Sequence, residues 1–291
     1  MDALIQLTPA APRLPEWLRK PRLHVDAVHQ LKSELRKLNL HTVCESARCP
    51  NLHECFHRGT ATFMILGNLC TRGCGFCSVP KSRHPGPLDP EEPGHMARMA
   101  HAMRLRHVVI TSVNRDDLAD GGSGHFAATV REVRRALPEA QVEVLTPDFQ
   151  GDLAAVARVL DAGPHIFNHN METVPRLYPR VRPQAGYGQS LDVLQFAKRY
   201  RREALTKSGA MLGLSETADE VHQLMRDLRG AGVDIVTLGQ YLQPTRRNLP
   251  VTEFIPPAQF DAYRDFGLSL GFKTVFSGPL VRSSYMADLI V

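Results

Sequence analysis

The sequence predicts an α/β fold built on a mostly parallel sheet. Six short β-like runs recur along the chain, helical stretches with one apolar face separate them, and each run ends in a polar cluster. Strands alternating with helices pair in parallel through right-handed crossovers, which leaves a doubly wound sheet and a full or partial barrel as the available architectures. Both place chemistry at the C-terminal ends of the strands.

The runs, in order, are ATFMILGN (61–68), HVVITSV (107–113), VEVLTP (142–147), HIFNHN (165–170), SGAMLGL (208–214) and DIVTLGQ (234–240). Apolar residues spaced i, i+3, i+4, i+7 predict core-facing helices through Met96, Met99, Ala100 and Met103, through Val193, Phe196, Ala197 and Tyr200, and through Val221, Leu224, Met225 and Leu228. The last of these opens with Thr217 and Glu220 spaced as a capping box and stops near Gly230 and Gly232. The methionine-rich stripes are core surface, since Met fills irregular gaps between helices and sheet. The strand exits read GNLC, TSVNRDD, TPD, NHNMET, GLSE and GQYLQPT, and that much polarity in succession points to one shared site.

Several function classes are disfavoured. A chain of 291 residues with 43% apolar content can bury a sizeable core without disulfides. Its N-terminus, MDALIQLTPAAPRLPEWLRKPR, carries two prolines before residue 13 and no uninterrupted apolar stretch, so it does not read as a secretory signal. No run of some 18 apolar residues predicts a membrane span, and the expected setting is cytoplasmic. A net charge of +5 with scattered basic residues, including KRYRR at 198–202, reads as a solvated surface rather than a nucleic-acid footprint.

The six cysteines fall into two triplets, Cys44, Cys49 and Cys55, then Cys70, Cys74 and Cys77. In a reducing compartment clustered thiols favour metal ligation over disulfides. Zinc would draw on the Cys74/Cys77 pair and on His41, His53 or His57, but a second C-x2-C is missing. The C-x3-C-x2-C spacing of the second triplet, with Gly73 and Gly75 letting the loop curl, suits three corners of an iron–sulfur cube better.

CTRGCGFC resembles the signature of the radical S-adenosylmethionine (SAM) superfamily, in which the iron without a protein ligand chelates SAM. The upstream C-x4-C-x5-C is similar to the auxiliary-cluster motif of the lipoyl synthase family. The similarity continues through TSVNRDDLADGG (111–122), FNHNMET (167–173), TKSGAMLGLSE (206–216), GQYLQPT (239–245) and RSSYMA (282–287), from about residue 40 to the C-terminus. The expected fold is then a partial parallel (β/α)6 TIM-like barrel with N-terminal and C-terminal extensions: residues 1–58 with the auxiliary cysteines, a barrel over 59–272, and a tail over 273–291 with the RSSY motif.

The resemblance implies two 4Fe-4S clusters and SAM as cofactors. Reductive cleavage of SAM at the Cys70/Cys74/Cys77 cluster gives a 5'-deoxyadenosyl radical, which removes hydrogen from C6 and C8 of a protein-bound octanoyl chain. The Cys44/Cys49/Cys55 cluster supplies two sulfurs, and its fourth ligand is Ser283, with Ser284 as the alternative. Phe76 and Gly213 are expected near the adenine, Asn168 and Glu172 at the ribose or amine, Lys207 and Ser208 at the carboxylate, and Thr111 and Ser112 beside the methionyl side. Arg282 is expected to organise the tail or the substrate. His169 reads as structural, and Asp116, Asp117 and Asp120 around Arg115 as a substrate or loop-closing network, or a solvated turn. The implied partners are octanoylated lipoyl-domain carrier proteins, an electron donor such as flavodoxin or ferredoxin, and iron–sulfur assembly factors, with no nucleic acid, no membrane and a monomeric enzyme. The rival classes are a biotin synthase-like or methylthiotransferase-like enzyme, a ferredoxin-like electron carrier, and a zinc-bound interaction module.

Overall fold

In the computed structural model the described residues are 14–19, 32–46, 49, 51, 54 and 62–284. Eight strands form one sheet in chain order: β1 (His41–Thr42), β2 (Thr62–Ile65), β3 (His107–Ser112), β4 (Gln141–Leu145), β5 (Ile166–Asn168), β6 (Leu205–Leu212), β7 (Ile235–Gln240) and β8 (Thr274–Gly278). β1 joins β2 antiparallel and every later pair is parallel. Among the described residues β8 does not pair back to β1, so the sheet is an open partial barrel.

Six helices cross over between the parallel strands: α1 (Glu92–Ala102), α2 (Ser123–Ala136), α3 (Leu153–Asp161), α4 (Tyr187–Tyr200), α5 (Ala218–Gly230) and α6 (Pro257–Ser269). Alternate strand residues turn to this layer. Val108, Ile110, Val142 and Val144 bury against α1 to α3 in one apolar cluster, while Ala210, Leu212, Val236 and Leu238 bury with α5 and α6 in a second. The capping box on α5 forms as its spacing predicts: the Glu220 amide donates to Thr217 Oγ1 at 3.3 Å and the Thr217 amide to the Glu220 carboxylate at 2.8 Å.

The structure corrects several boundaries. β2 ends at Ile65 because Leu66 and Gly67 take positive φ, 68° and 86°, and turn the chain toward the cysteine loop. The α4 seam is Ser190, Val193, Leu194 and Ala197 with Phe196 half-buried beside it, whereas Tyr200 is 49% exposed and stacks on Phe196. Met103 caps α1 and is half-buried. β8 lies beyond residue 272, so the last barrel strand falls in the stretch expected to be tail.

The face opposite the helices holds polar groups at its lower end. Glu143 of β4 and Lys207 of β6 are both essentially unexposed, with Lys207 Nζ 2.9 and 3.0 Å from the two carboxylate oxygens. Asn168 Nδ2 donates to Glu143 at 2.9 Å, and His107 Nε2 lies 3.4 Å away. Burial pushes the Glu143 carboxyl upward, but Lys207 and His107 outweigh it and hold the group below its usual range. No helix among the described residues is long and apolar enough to cross a membrane.

Candidate functional site

The Cys70–Cys77 loop leaves the left-handed turn after β2 and lies across the C-terminal ends of the strands. Two side chains fix that turn: Glu92 of α1 accepts from the Leu66 amide at 2.8 Å, and Arg115 donates to the Leu66 carbonyl at 3.3 Å. Beyond it the loop is tied to four strand exits. Cys70 Sγ accepts from the Asn114 amide at 3.4 Å, and Thr71 Oγ1 donates to the Asn114 carbonyl at 3.0 Å, both after β3. Arg72 reaches Asp116 after β3 and Asp148 after β4. The Gly75 amide donates to the Val181 carbonyl at 2.9 Å, in the connection between β5 and α4. After β7, Asn248 Nδ2 donates to the Cys77 carbonyl at 3.0 Å, and the Leu249 amide to the Gly75 carbonyl at 3.0 Å.

The three cysteines therefore sit on one loop anchored to the strand exits. Burial raises the Cys74 thiol and pushes the Cys77 thiol up to about 11. Such thiols are poor bare nucleophiles, and metal coordination is the way a site of this kind obtains thiolates. Among the described residues no three His, Cys, Asp or Glu side chains stand close enough together to hold a single metal ion. A Cβ at Gly75 would stand 2.9 Å from Leu249 and 3.2 Å from the Arg180 carbonyl, so that glycine admits the neighbouring backbone. Gly73 has only Gln184 Oε1 within 4 Å of the same position.

Among the expected SAM contacts outside the loop, Glu172 adds to the upward effect of burial on both Cys74 and Cys77. It holds φ +67°, is pushed up by burial, and accepts from Asn170 Nδ2 at 3.0 Å. Asn168 Oδ1 and Asn170 Oδ1 are buried without a partner, acceptors a ligand's hydroxyl or amine would satisfy. Thr111 Oγ1 donates to the Leu145 carbonyl at 2.9 Å. Ser112 and Ser208 sit one residue out of phase with Thr111 and Lys207, on the helix-facing side, each with a buried Oγ lacking a partner. Phe76 packs on the second apolar cluster.

Two expectations give way. Lys207 was expected at a ligand carboxylate, but a fully buried Glu143 needs a countercharge and Lys207 is that charge. Gly213, expected to admit adenine, has φ +102°, and a Cβ there would meet Gln240 Nε2 at 2.2 Å and the Glu253 carbonyl at 2.4 Å, so protein fills the space. The Asp trio also separates. Asp116 binds Arg72, Asp117 binds Arg115 at 2.8 Å, and Asp120 accepts from the Gly122 and Gly124 amides at 2.9 and 2.8 Å. His169 is structural as expected: its ring nitrogens lie 2.9 Å from the Thr146 carbonyl and 3.1 Å from Ser190 Oγ, and burial pulls it down to about 4.

The arm and tail meet at the far side of the mouth. Asn51 Nδ2 donates to the Leu280 carbonyl at 2.8 Å, and the Gln240 amide to the Pro279 carbonyl at 3.3 Å. Burial lowers the Arg282 guanidinium, and Cys49 acts in the opposite sense. The Cys49 amide donates to the Cys44 carbonyl at 3.1 Å, and Ser283 follows Arg282 in a half-buried turn. Cys55, His53, His57 and Tyr285 lie outside the described residues. Residues that sequence reasoning did not single out are Arg72, Asn114, Asp148, Arg182 and Asn248; Arg182 donates to the Asn170 carbonyl at 2.8 Å and its charge is felt at Cys74.

Comparison with known proteins adds an independent line. Residues 64–228 match the family model described as the radical SAM superfamily, and residues 4–49 match that of the N-terminal domain of lipoyl synthase. A lipoyl synthase of Rubrobacter xylanophilus is 56% identical over 94% of this chain and 85% of its own length. One from Thermus thermophilus is 54% identical over 95% and 86%. Among solved structures, Streptococcus suis SuiB bound to S-adenosylmethionine superposes with a TM-score of 0.56 at 11% identity, covering 78% of this chain and 53% of that one, a likeness of fold.

Proposed function

Because the chain belongs to the lipoyl synthase family of the radical SAM superfamily, we propose that the mouth of its open barrel is where two sulfur atoms enter C6 and C8 of a protein-bound octanoyl-lysyl chain. The observation that carries this reading is the meeting of two cysteine-bearing segments at one end of the sheet: the Cys70–Cys77 loop tied to the strand exits, and the arm carrying Cys49, whose Asn51 donates to the Leu280 carbonyl of the tail.

Cys70, Cys74 and Cys77 would hold one 4Fe-4S cluster, and Cys44, Cys49 and Cys55 a second with Ser283 as its remaining ligand. A serine oxygen is a harder ligand than thiolate and holds iron less firmly. When bound, the clusters and SAM supply one-electron chemistry, which the substrate demands because methylene hydrogens have no useful acidity for a general base. The chain's own groups position and shield. The Asn114 N–H groups face Cys70 Sγ, Glu172 with the open Asn168 and Asn170 acceptors suits SAM's hydroxyls or ammonium, and Thr111 and Phe76 border the mouth. The carrier is an octanoylated lipoyl-domain protein; a flavodoxin- or ferredoxin-like donor, help from iron–sulfur assembly factors, a monomeric state and a cytoplasmic setting complete the proposal.

The test is anaerobic. With iron, sulfide, SAM, reductant and an octanoyl-lysyl peptide, the parent chain forms 5'-deoxyadenosine and thiolated peptide. Cys70→Ala forms neither, and Cys44→Ala forms deoxyadenosine alone. Equal deoxyadenosine from the parent and Cys70→Ala contradicts the assignment.

A further inference from the structure

Arg72 lies between the first two cysteines of the loop and is only 5% exposed. Its guanidinium forks onto two carboxylates. Nε and Nη2 reach the two oxygens of Asp116 at 2.7 and 2.8 Å, and Nη1 and Nη2 reach those of Asp148 at 2.8 and 2.7 Å. Asp148 is fully buried, and although burial pushes it upward, Arg72 holds it down at about 2, so it is a carboxylate. Asp148 also accepts from the Gln150 amide at 3.0 Å, and Thr71 Oγ1 lies 3.1 Å from Asp116. One planar cation thus joins the cysteine loop to the exits of β3 and β4 through two bidentate pairs, a geometry only a guanidinium provides.

An arrangement this demanding exceeds what tethering a surface loop needs, since a buried carboxylate left unpaired is heavily penalised. Its consequence falls on the cysteines. Cys70 and Cys74 lie two residues either side of Arg72.

We propose that Arg72, clamped by Asp116 and Asp148, is a positioning residue that fixes the separation and orientation of Cys70 and Cys74 on the strand exits, and so the geometry of the cluster they hold. The inference rests on reading the triplet as a cluster site. Lysine keeps the charge but presents a point, so it cannot hold both carboxylates in register.

The test uses the full chain with Cys44, Cys49 and Cys55 replaced by Ala, so that only one cluster assembles. Into this parent go Arg72→Lys and, separately, Asp116→Asn, which is isosteric and leaves the Asp148 pair in place. After anaerobic reconstitution, iron per chain is measured, together with the electron paramagnetic resonance spectrum of the reduced cluster before and after SAM. The melting curve of each metal-free chain reports the fold. Arg72→Lys is expected to melt cooperatively, to load severalfold less iron than the parent, and to show an altered spectrum with a diminished response to SAM. Asp116→Asn shifts the spectrum in the same direction by less. A parental spectrum and SAM response from the loaded Arg72→Lys chain overturns the proposal, because a merely structural tether would lower stability alone. Should Arg72→Lys fail to fold, a parental spectrum from Asp116→Asn overturns it. If the parent itself takes up no iron, the cluster reading fails and this inference with it.

Discussion

Replacing Lys207 with Met separates two roles for one residue. Lys207 and Glu143 form an ion pair with side chains 1% and 0% exposed, so removing the cation strands a carboxylate away from water. Breaking a buried pair in this way costs about 3–5 kcal/mol, and at roughly 2–3 °C per kcal/mol the Tm falls by about 6–15 °C. The effect depends on pH in a defined sense. In the parent, the Glu143 value is held below 4.5, so its contribution to stability is present above 4.5 and is lost as pH falls through the lower folded value. In Lys207→Met burial still pushes the Glu143 carboxyl up with only His107 left to oppose it, so acid should relieve the defect and the gap to the parent should narrow as pH falls. Calorimetry of the ligand-free chain at several pH values measures this. The second change Glu143→Leu, made with Lys207→Met, should restore most of the lost Tm because no charge is then buried alone. A ligand-free Tm unchanged in Lys207→Met, with SAM affinity weakened instead, would refute the reasoning and return Lys207 to the ligand.

Two further substitutions probe the frame around the site. Thr217→Ala removes the side-chain acceptor for the Glu220 amide and should cost about 1 kcal/mol, read as a Tm lower by roughly 2–3 °C with the cluster spectra unchanged. Gly239→Ala would put a Cβ 2.0 Å from the Val281 carbonyl oxygen, so the tail must lift from β7. Faster amide exchange at Val281 and Ser283 is expected with little change at Val108 or Ile110 in β3, and parental exchange throughout would contradict the packing.

The legible parts of the molecule are those that local pattern determines. The β3 and β7 runs, the α5 seam with its capping box and the cysteine loop all depend on residues a few positions apart. β8 escaped because TVFSG is a short run with half-exposed positions in a stretch taken as tail. Of the expected α4 stripe Val193 and Ala197 are buried and Phe196 packs half-buried against the core, whereas Tyr200 points out and stacks on Phe196. What could not be read locally is which charge meets which. Glu143 lies 64 positions from Lys207, and Asp148 lies 76 from Arg72. A signal for the second was present, since the exits TSVNRDD and TPD both end in aspartate while an arginine sits in the cysteine loop. The residues assigned to SAM by resemblance divide similarly: Glu172 lies beyond β5, Asn168 and Lys207 both bond Glu143 inside the sheet, and Ser112 and Ser208 face the helices because strand neighbours alternate.

The measurement that tests the central claim most directly follows the sulfur. The full chain is reconstituted anaerobically with sulfide enriched in a heavy isotope, freed of excess sulfide, and given SAM, reductant and an octanoyl-lysyl peptide. Mass spectrometry of the peptide should show two sulfurs gained, both heavy, and none in a chain carrying Cys44→Ala. A peptide that gains no sulfur while deoxyadenosine accumulates in the parent would contradict the account, as would heavy sulfur transferred equally well by Cys44→Ala.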